Sequence, residues 1–272
     1  KLGAQVFRAE VGEANVVNLA QEKISEGYTV RILGEGSNGG TITYPSSVRD
    51  PLNTVFAIIK LLMLKENGLY ELWCKKAGIK FKQDFTLNDV MDSLPKYTTT
   101  GVSEKRALLQ IKQKDHAKLK ASFQKEFESD WKKKKKPELE KKYGISSYEA
   151  VITNGTKETR DVKDFSLSKK GGLKLLFKDK DSKPIAFIWM RGSGTEPVFR
   201  ILCDVKGNNP EMEKEISYLS HYLIHPDDYY YPDDDRSRLL FCCSPCCSLV
   251  IFYGCDSYIS DFAYSVQHYK TK

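Results

Sequence analysis

The sequence has few cysteines outside its C-terminal tail. Of seven cysteines in 272 residues, Cys74 and Cys203 precede residue 226, and the others lie in 226–272. This excludes the disulfide framework of a small secreted domain and fits a reduced compartment. The first residues, Lys1–Gln5, also lack the charged and then apolar pattern of a secretion signal. We therefore expect a cytoplasmic protein.

Long apolar runs are missing as well. The apolar-rich stretches 51–64 and 239–254 contain fourteen and sixteen residues, whereas a membrane-spanning helix needs about 20. The second stretch also contains Pro245 at its centre. We therefore expect no membrane partner, and we interpret 51–64 as a buried core helix of a globular protein.

Basic residues are in excess but unevenly placed. The net charge is +7, and one cluster, Lys132–Lys136, consists of five consecutive lysines. No RNA-binding signature with interleaved aromatic residues accompanies the cluster, so a solvated helix face is favoured and no nucleic-acid partner is expected. The tail 226–272 is acidic, with seven aspartates against four lysines and arginines. Its Cys243–Cys246 pair has no second pair at zinc-ribbon spacing, so no metal site is predicted there.

The first 95 residues alternate between strand-like and helical patterns. Residues 4–11 and Tyr28–Leu33 are predicted strands, and Asn15–Glu26 is a predicted helix between them, an order that suggests a βαβ-type layer. The helix over 51–64 is expected to begin at a cap, for which Ser47 and Asp50 both qualify.

Residues 96–225 predict an α+β domain with a mostly antiparallel sheet. A threonine-rich connector, 96–102, leads into a long charged helical region, 115–142, which carries one apolar stripe and is expected to kink at Pro137. A further helix is expected over 210–223. The predicted strands are Tyr148–Asn154, Leu173–Lys178, Ile185–Met190 and Val198–Val205.

The loop between the last two strands carries the most distinctive polar groups. In Arg191–Pro197, the Arg191 guanidinium suits a phosphate bidentately, and Ser193 and Thr195 supply hydroxyl donors. Gly194 allows the backbone to approach a ligand closely. The same residue types also make an ordinary hairpin turn, so the loop by itself leaves both interpretations open.

A second glycine-rich polar loop, Gly34–Ser37, precedes it in the chain and also follows a strand-like run. This pair of loops resembles the α-D-phosphohexomutase family, the phosphoglucomutases and phosphomannomutases. In that family a Gly-Glu-x-Ser-Gly loop of the third domain binds sugar hydroxyls, and an Arg-x-Ser-x-Thr-x-Pro loop of the fourth domain binds the substrate phosphate. The segments Arg8–Glu13, Arg49-Asp50 and Leu94–Tyr97 also resemble family segments.

The resemblance implies both a domain organisation and a set of site residues. Residues 1–95 would be the C-terminal part of the sugar-binding α/β third domain, 96–225 the phosphate-binding α+β fourth domain, and 226–272 an atypical tail. The chain would bind a hexose phosphate. The implied residues are Glu35 and Ser37 for the sugar, and Arg191, Ser193, Gly194 and Thr195 for the phosphate.

Two parts of the family pattern have no match in the chain. The family uses a phosphorylated serine in a Ser-His-Asn-Pro context and a Mg²⁺ loop, Asp-Gly-Asp-x-Asp-Arg, with a hexose bisphosphate as activator. Asp233–Arg236 lacks the glycine and comes too late in the chain to be that loop. We therefore expect no catalytic residue and no metal ligand in this chain.

The function implied is part of a phosphohexomutase, which interconverts hexose 1-phosphate and hexose 6-phosphate through a phosphoserine and a bisphosphate intermediate. The chain by itself is expected to be inactive. The alternative is a non-catalytic remnant that binds sugar phosphates or takes part in protein interactions.

Several residues near the loops have more ordinary interpretations. Arg200 is interpreted as a surface or sheet residue, and Arg49 is expected to pair with a carboxylate. The four histidines, which show no partner pattern, are interpreted as surface or structural residues.

Overall fold

The computed structural model describes residues 5–34, 41–43, 47–101, 104–111, 113–193 and 198–223. The helices are α1 (Glu13–Ser25), α2 (Pro51–Met63), α3 (Leu69–Ala77), α4 (Leu87–Ser93), α5 (His116–Asp130), α6 (Lys136–Tyr143) and α7 (Pro210–Ser217). The strands are β1 (Ile32–Gly34), β2 (Thr41–Thr43), β3 (Tyr97–Thr99), β4 (Leu108–Gln110), β5 (Ser147–Asn154), β6 (Lys157–Thr159), β7 (Gly172–Lys178), β8 (Pro184–Gly192) and β9 (Val198–Lys206).

The larger sheet contains seven strands in the order β3-β9-β8-β7-β5-β6, with β4 beside β3 on the same edge of β9. Its pairings among the described residues are antiparallel. This confirms a fold of mixed helices and strands with a mostly antiparallel sheet. The four strands predicted in this region lie where expected to within two residues at each end.

The main core lies between one face of this sheet and helices α5, α6 and α7. Alternate residues of β8 and β9 point into it, including Ile188, Met190 and Ile201, as a period of two requires. The predicted apolar stripe of the long helical region faces the sheet, and it is buried at Phe123 and Phe127. Full burial of one such side chain contributes about 1.5–3 kcal/mol to folding.

The α-helical hydrogen bonding of the long helical region is interrupted just before Pro137, where the sequence predicts a kink. Between α5 and α6 the backbone widens into a π-helical turn, Trp131–Lys135, and Pro137 lies in the first turn of α6. Proline has no N–H to donate to the preceding turn, and π-helical turns are a common form of such helix irregularities. The lysines of this turn are mostly exposed, as the interpretation of a solvated face requires.

The N-terminal segment differs from its prediction. Residues 5–10 form no regular strand, and Glu10 contributes one backbone hydrogen bond, from its N–H to the Gly155 carbonyl at 2.8 Å. β1 pairs antiparallel with β2, the next strand in the chain. The expected βαβ layer is therefore absent from the described residues. β1 pairs with β2, which follows it after residues 35–40, and not with a strand that precedes α1.

Helix α2 has its predicted bounds but not its predicted burial. The Asp50 carboxylate caps it by accepting from the Asn53 N–H at 3.0 Å. Leu61 and Leu62 pack beside a small cluster of α3 and α4 that includes Trp73. The opposite side is an exposed apolar stripe, and the interpretation of a buried core helix is wrong. The stripe consists of Leu52, Val55, Phe56, Ile59 and Met63, which are 48–73% exposed.

The threonine-rich connector is also more ordered than expected. Tyr97–Thr99 pairs with the end of β9, and the Thr98 hydroxyl donates to the Gly207 carbonyl at 2.9 Å. Threonine suits this position because it is β-branched and its hydroxyl can bind backbone groups. The division of the chain at residues 95 and 225 remains a prediction.

Within the described residues, no helix is both long enough and apolar enough to cross a membrane.

Candidate functional site

The candidate phosphate loop lies at one end of the large sheet. Strand β8 ends at Gly192 and β9 begins at Val198, and the Ser193 N–H donates to the Val198 carbonyl at 2.8 Å across the base of the loop. In the β8–β9 register, Arg191 is directly opposite Arg200. Two arginines on the same face of the sheet therefore flank the base of the loop.

Arg191 is held by the N-terminal segment. Its Nη1 donates to the Val11 carbonyl at 2.9 Å and lies 3.7 Å from the Glu10 carboxylate. The side chain is 30% exposed. Its Nε is buried and has no hydrogen-bond partner among the described residues.

Glu10 is the buried anion of the site. The residue is 4% exposed, and its carboxylate accepts from the Gly172 N–H, from the Thr153 hydroxyl at 2.6 Å and from the Val11 N–H at 2.9 Å. These hydrogen bonds hold the Glu10 carboxylate 3.7 Å from Nη1 of Arg191, and the contact helps to fix the position of the guanidinium.

The close approach of Glu10 depends on a glycine pair at the start of β7. A Cβ on Gly172 would lie 2.6 Å from the Trp189 Nε1 and 3.0 Å from the Glu10 carboxylate, and one on Gly171 would collide with the Thr153 carbonyl. In a sequence a glycine pair is an ordinary turn signal, and it does not reveal which side chain will approach it.

Lys120 is a fully buried cation behind the same network. Its ammonium donates to the carbonyls of Lys169 at 2.9 Å and Gly171 at 2.6 Å. Burial lowers the pKa of Lys120 to about 8, the Glu10 carboxylate acts in the opposite direction, and Arg191 lowers the pKa further. Lys120, Glu10 and Arg191 therefore interact electrostatically beneath the loop.

His116, the first residue of α5, packs against the loop from the helix side of the sheet. Its ring occupies the space that a side chain at position 192 would fill, and it stands edge-on to Phe199 with ring centres 5.8 Å apart. Glu10 lies in the Arg8–Glu13 segment that resembles the family, but its contact with Arg191 had no sequence signal. Lys120 and His116 had no local sequence signal of function, because they reach the loop through tertiary packing.

The predicted site residues are described in part. Arg191 and Ser193 lie at the base of the loop, as expected from the sequence. Gly194 and Thr195 lie outside the described residues, as do Glu35 and Ser37 of the predicted sugar loop. The roles of these residues remain predictions.

The interpretation of Arg49 is confirmed. Its Nε lies 3.5 Å from the Glu13 carboxylate, and its backbone N–H donates to the same carboxylate at 3.2 Å. This contact joins the first turn of α1 to the segment that precedes α2.

No group of three or more His, Cys, Asp or Glu side chains within the described ranges could hold a metal ion. The Mg²⁺ that the resemblance implies belongs to a family loop with no match in this chain, and its role remains a prediction.

No protein-family model matches the chain, and no curated protein matches it.

Proposed function

We propose that this chain is part of a phosphohexomutase and that the Arg191–Pro197 loop binds the phosphate group of a hexose phosphate. The observation that carries the proposal is the position of the Arg191 guanidinium, which Glu10 and Val11 hold at the base of a glycine-rich loop. A guanidinium forms charge-assisted hydrogen bonds with a phosphate group.

The state of Arg191 supports the same ligand class. Glu10 and Val11 fix the guanidinium through one end, and its buried Nε has no hydrogen-bond partner in the part of the chain that the structure describes. A guanidinium that is already oriented loses little side-chain entropy on binding, and its fork geometry matches a phosphate group. Backbone N–H groups of a glycine-containing loop would complete such a site.

The sugar is assigned by the resemblance of Gly34–Ser37 to the family's sugar loop. A carboxylate and a hydroxyl at Glu35 and Ser37 suit a sugar diol, since one accepts hydrogen bonds and the other both donates and accepts. The transfer itself would use the serine and Mg²⁺ loops, which have no match in this sequence. The chain would thus contribute substrate binding and orientation.

The test is thermal unfolding in the presence of glucose 1-phosphate, glucose 6-phosphate, inorganic phosphate or glucose. A ligand at 100 times its dissociation constant adds about 2.7 kcal/mol to the free energy of unfolding. We expect each phosphate compound to raise the Tm of the wild type, and Arg191→Ala to abolish the effect. Arg160→Ala is the matched control, because Arg160 pairs with Glu149 at an exposed position away from the loop.

Absence of stabilisation by every phosphate compound would contradict the proposed binding site. A coupled mutase assay with glucose 1-phosphate separately tests the proposal that the chain binds substrate but lacks the reacting groups. We expect no turnover by this chain alone, and measurable turnover would show that the reacting groups lie within it.

A non-catalytic interaction remnant is the second candidate. The observation that favours it is the exposed apolar stripe on α2, since such surfaces often mark interaction sites. Phosphate-independent association that is lost in Phe56→Ser, with no hexose phosphate binding, would favour this candidate over the first.

A further inference from the structure

Helix α2 presents apolar side chains on two sides, and its own chain covers one of them. Leu61 and Leu62 pack beside the small cluster of α3 and α4, whereas the residues of the exposed stripe on the other side are 48–73% exposed. A surface helix of a globular protein normally turns polar residues toward water. An apolar face of this kind marks an interaction site, and the described part of the chain leaves it uncovered.

The spacing within the stripe is that of a surface along which helices pair. Four of its residues follow one another at intervals of four, three and four positions: Leu52, Phe56, Ile59 and Met63. This alternation of three and four is that of the a and d positions of a heptad, which line up where one helix packs along another. Val55 lies beside that line and widens it. A helix therefore fits this surface best.

The size of the stripe matches half of a small protein interface. At roughly 100–150 Å² for each of its five side chains, the stripe presents about 600 Å² per copy of the chain. Leu64, which is 47% exposed, adjoins its C-terminal end. Two such surfaces in contact would bury about 1,200 Å², the lower limit for specific and stable interfaces. A pair of α2 helices thus supplies enough contact for a weak dimer.

The charge distribution allows the same surface to meet itself. The one charged side chain of α2 is Lys60, which is exposed and lies at the edge of the stripe, one turn from Phe56. Contact between two copies would therefore bring no charged group into its centre, and the ammonium of Lys60 would stay in water. A helix that binds a membrane surface normally carries several Lys or Arg residues on its polar side. A second copy of the chain is thus the occupant that these observations favour.

We propose that the exposed stripe is the contact surface of a homodimer, in which α2 of one copy packs along α2 of a second copy. Such a contact is isologous, so it closes after two copies and forms no filament. An area at the lower limit of stable interfaces gives a dissociation constant on the order of 10 µM. At about 1 µM the chain is then mostly monomeric, and unfolding at that concentration reports on a stripe without a partner.

The experiment is sedimentation velocity of the full chain between about 1 and 200 µM. We expect the wild type to pass from the mass of one chain toward that of two as the concentration rises. Phe56→Ser, in the middle of the stripe, should weaken association by at least about tenfold. Leu167→Ser is the matched control and should associate as the wild type does, because Leu167 is an apolar residue outside α2 that is 54% exposed.

Opposite charges at Ile59 test whether both copies use the same surface. Ile59 lies near the middle of the stripe, so its two copies would lie close together whether the helices run parallel or antiparallel. Ile59→Glu alone and Ile59→Lys alone should each remain monomeric, because like charges would meet in the contact. An equimolar mixture of the two variants should regain association, which a contact between α2 and a different surface does not predict.

Two outcomes would overturn the inference. A wild type that stays monomeric up to about 200 µM would show that a second copy does not occupy the stripe, and binding of that monomer to phosphatidylcholine vesicles would assign the stripe to a lipid surface instead. Association that is unchanged in Phe56→Ser and in both Ile59 variants would place the dimer contact elsewhere. The wild-type measurement remains decisive even if a variant does not fold. Both results are independent of phosphate binding by the loop.

Discussion

Gly192 shows how a single residue couples the loop to the helix behind it. Its Cβ position coincides with the ring of His116, so the requirement for glycine is steric. Its backbone is not in the left-handed region, unlike that of Gly144 or Gly155. Glycine here is needed for close approach and not for turn geometry.

Gly192→Ala should therefore destabilise the protein by about 1–3 kcal/mol, the usual cost of overpacking a buried site. In a His116→Ala background the same change should cost at least about 1 kcal/mol less, because the colliding ring is gone. Denaturant unfolding of the four proteins in this double-mutant cycle measures the coupling. Gly34→Ala is the control, since its Cβ would meet open space; equal costs of Gly192→Ala in both backgrounds would contradict the steric explanation.

Lys120 gives a residue-scale prediction of pH dependence. Its folded-state pKa is lowered from 10.5 to about 8, so the buried ammonium is unfavourable below about pH 8. That cost disappears as the pH rises from 8 toward 10.5, because the folded state releases its proton before the unfolded state does.

The free energy of unfolding of the wild type, relative to Lys120→Met, should therefore rise by about 2 kcal/mol between about pH 7.5 and 9.5. Taking the difference between the two proteins cancels the contributions of tyrosines and cysteines that also titrate. Urea unfolding across this range is the measurement. A difference that stays constant with pH would mean that Lys120 has an ordinary pKa in the folded protein.

Among the elements, α2 departs most from what its sequence predicts. The residues of the exposed stripe recur at helical spacing, and a lone sequence gives no way to distinguish a stripe that packs on the same chain from one that faces outward. Of the two predicted cap candidates, Ser47 and Asp50, the structure has Asp50 as the cap, and a cap could be predicted because it is decided by neighbouring residues.

Phe56→Ser should consequently change the free energy of unfolding by less than about 0.5 kcal/mol, as is usual for exposed positions. Phe127→Ser, at a fully buried position of α5, is the matched control and should cost at least about 3 kcal/mol. Thermal or urea unfolding of both variants provides the comparison. A large loss of stability from Phe56→Ser would show that the stripe is covered in solution.

Features that depend on neighbouring residues could be predicted from the sequence, whereas features that depend on residues distant in the chain could not. Strands β5, β7, β8 and β9 were predictable because alternating burial and turn residues are local signals. Residues 5–10 look strand-like, yet they bind the sheet through the Glu10 side chain and one backbone contact. Likewise a short motif predicts Arg191 and Ser193 as site residues, whereas Lys120 and His116 have no such local signal.

In the molecule as a whole, Glu10 links the N-terminal third of the chain to the large sheet. It joins the segment before α1 to β5, to β7 and to Arg191 on β8. A second link lies at the surface, where the Thr156 hydroxyl donates to the Glu22 carboxylate at 3.0 Å. Both glutamates thus connect the N-terminal third of the chain to the sheet region, but Glu10 is buried and the Glu22 contact is exposed.

Glu10→Gln should destabilise the protein by about 1–3 kcal/mol, because an amide nitrogen would face backbone and hydroxyl donors in a buried position. Glu22→Gln is the control and should cost less than about 0.5 kcal/mol. Amide hydrogen exchange of β5 and β7, together with urea unfolding, measures both. Similar small effects from the two variants would show that the buried link contributes little.

The central claim is that the loop at the end of β8 binds the phosphate of a hexose phosphate. The most direct measurement is a ³¹P NMR titration of glucose 1-phosphate with the wild type and with Arg191→Ala, with folding of both verified by circular dichroism. We predict that the wild type shifts or broadens the phosphate resonance in a saturable manner. Arg191→Ala, having lost one charge-assisted pair, should weaken the affinity by at least about tenfold. A phosphate resonance that the wild type leaves unchanged, or equal affinities of the two folded proteins, would contradict the claim.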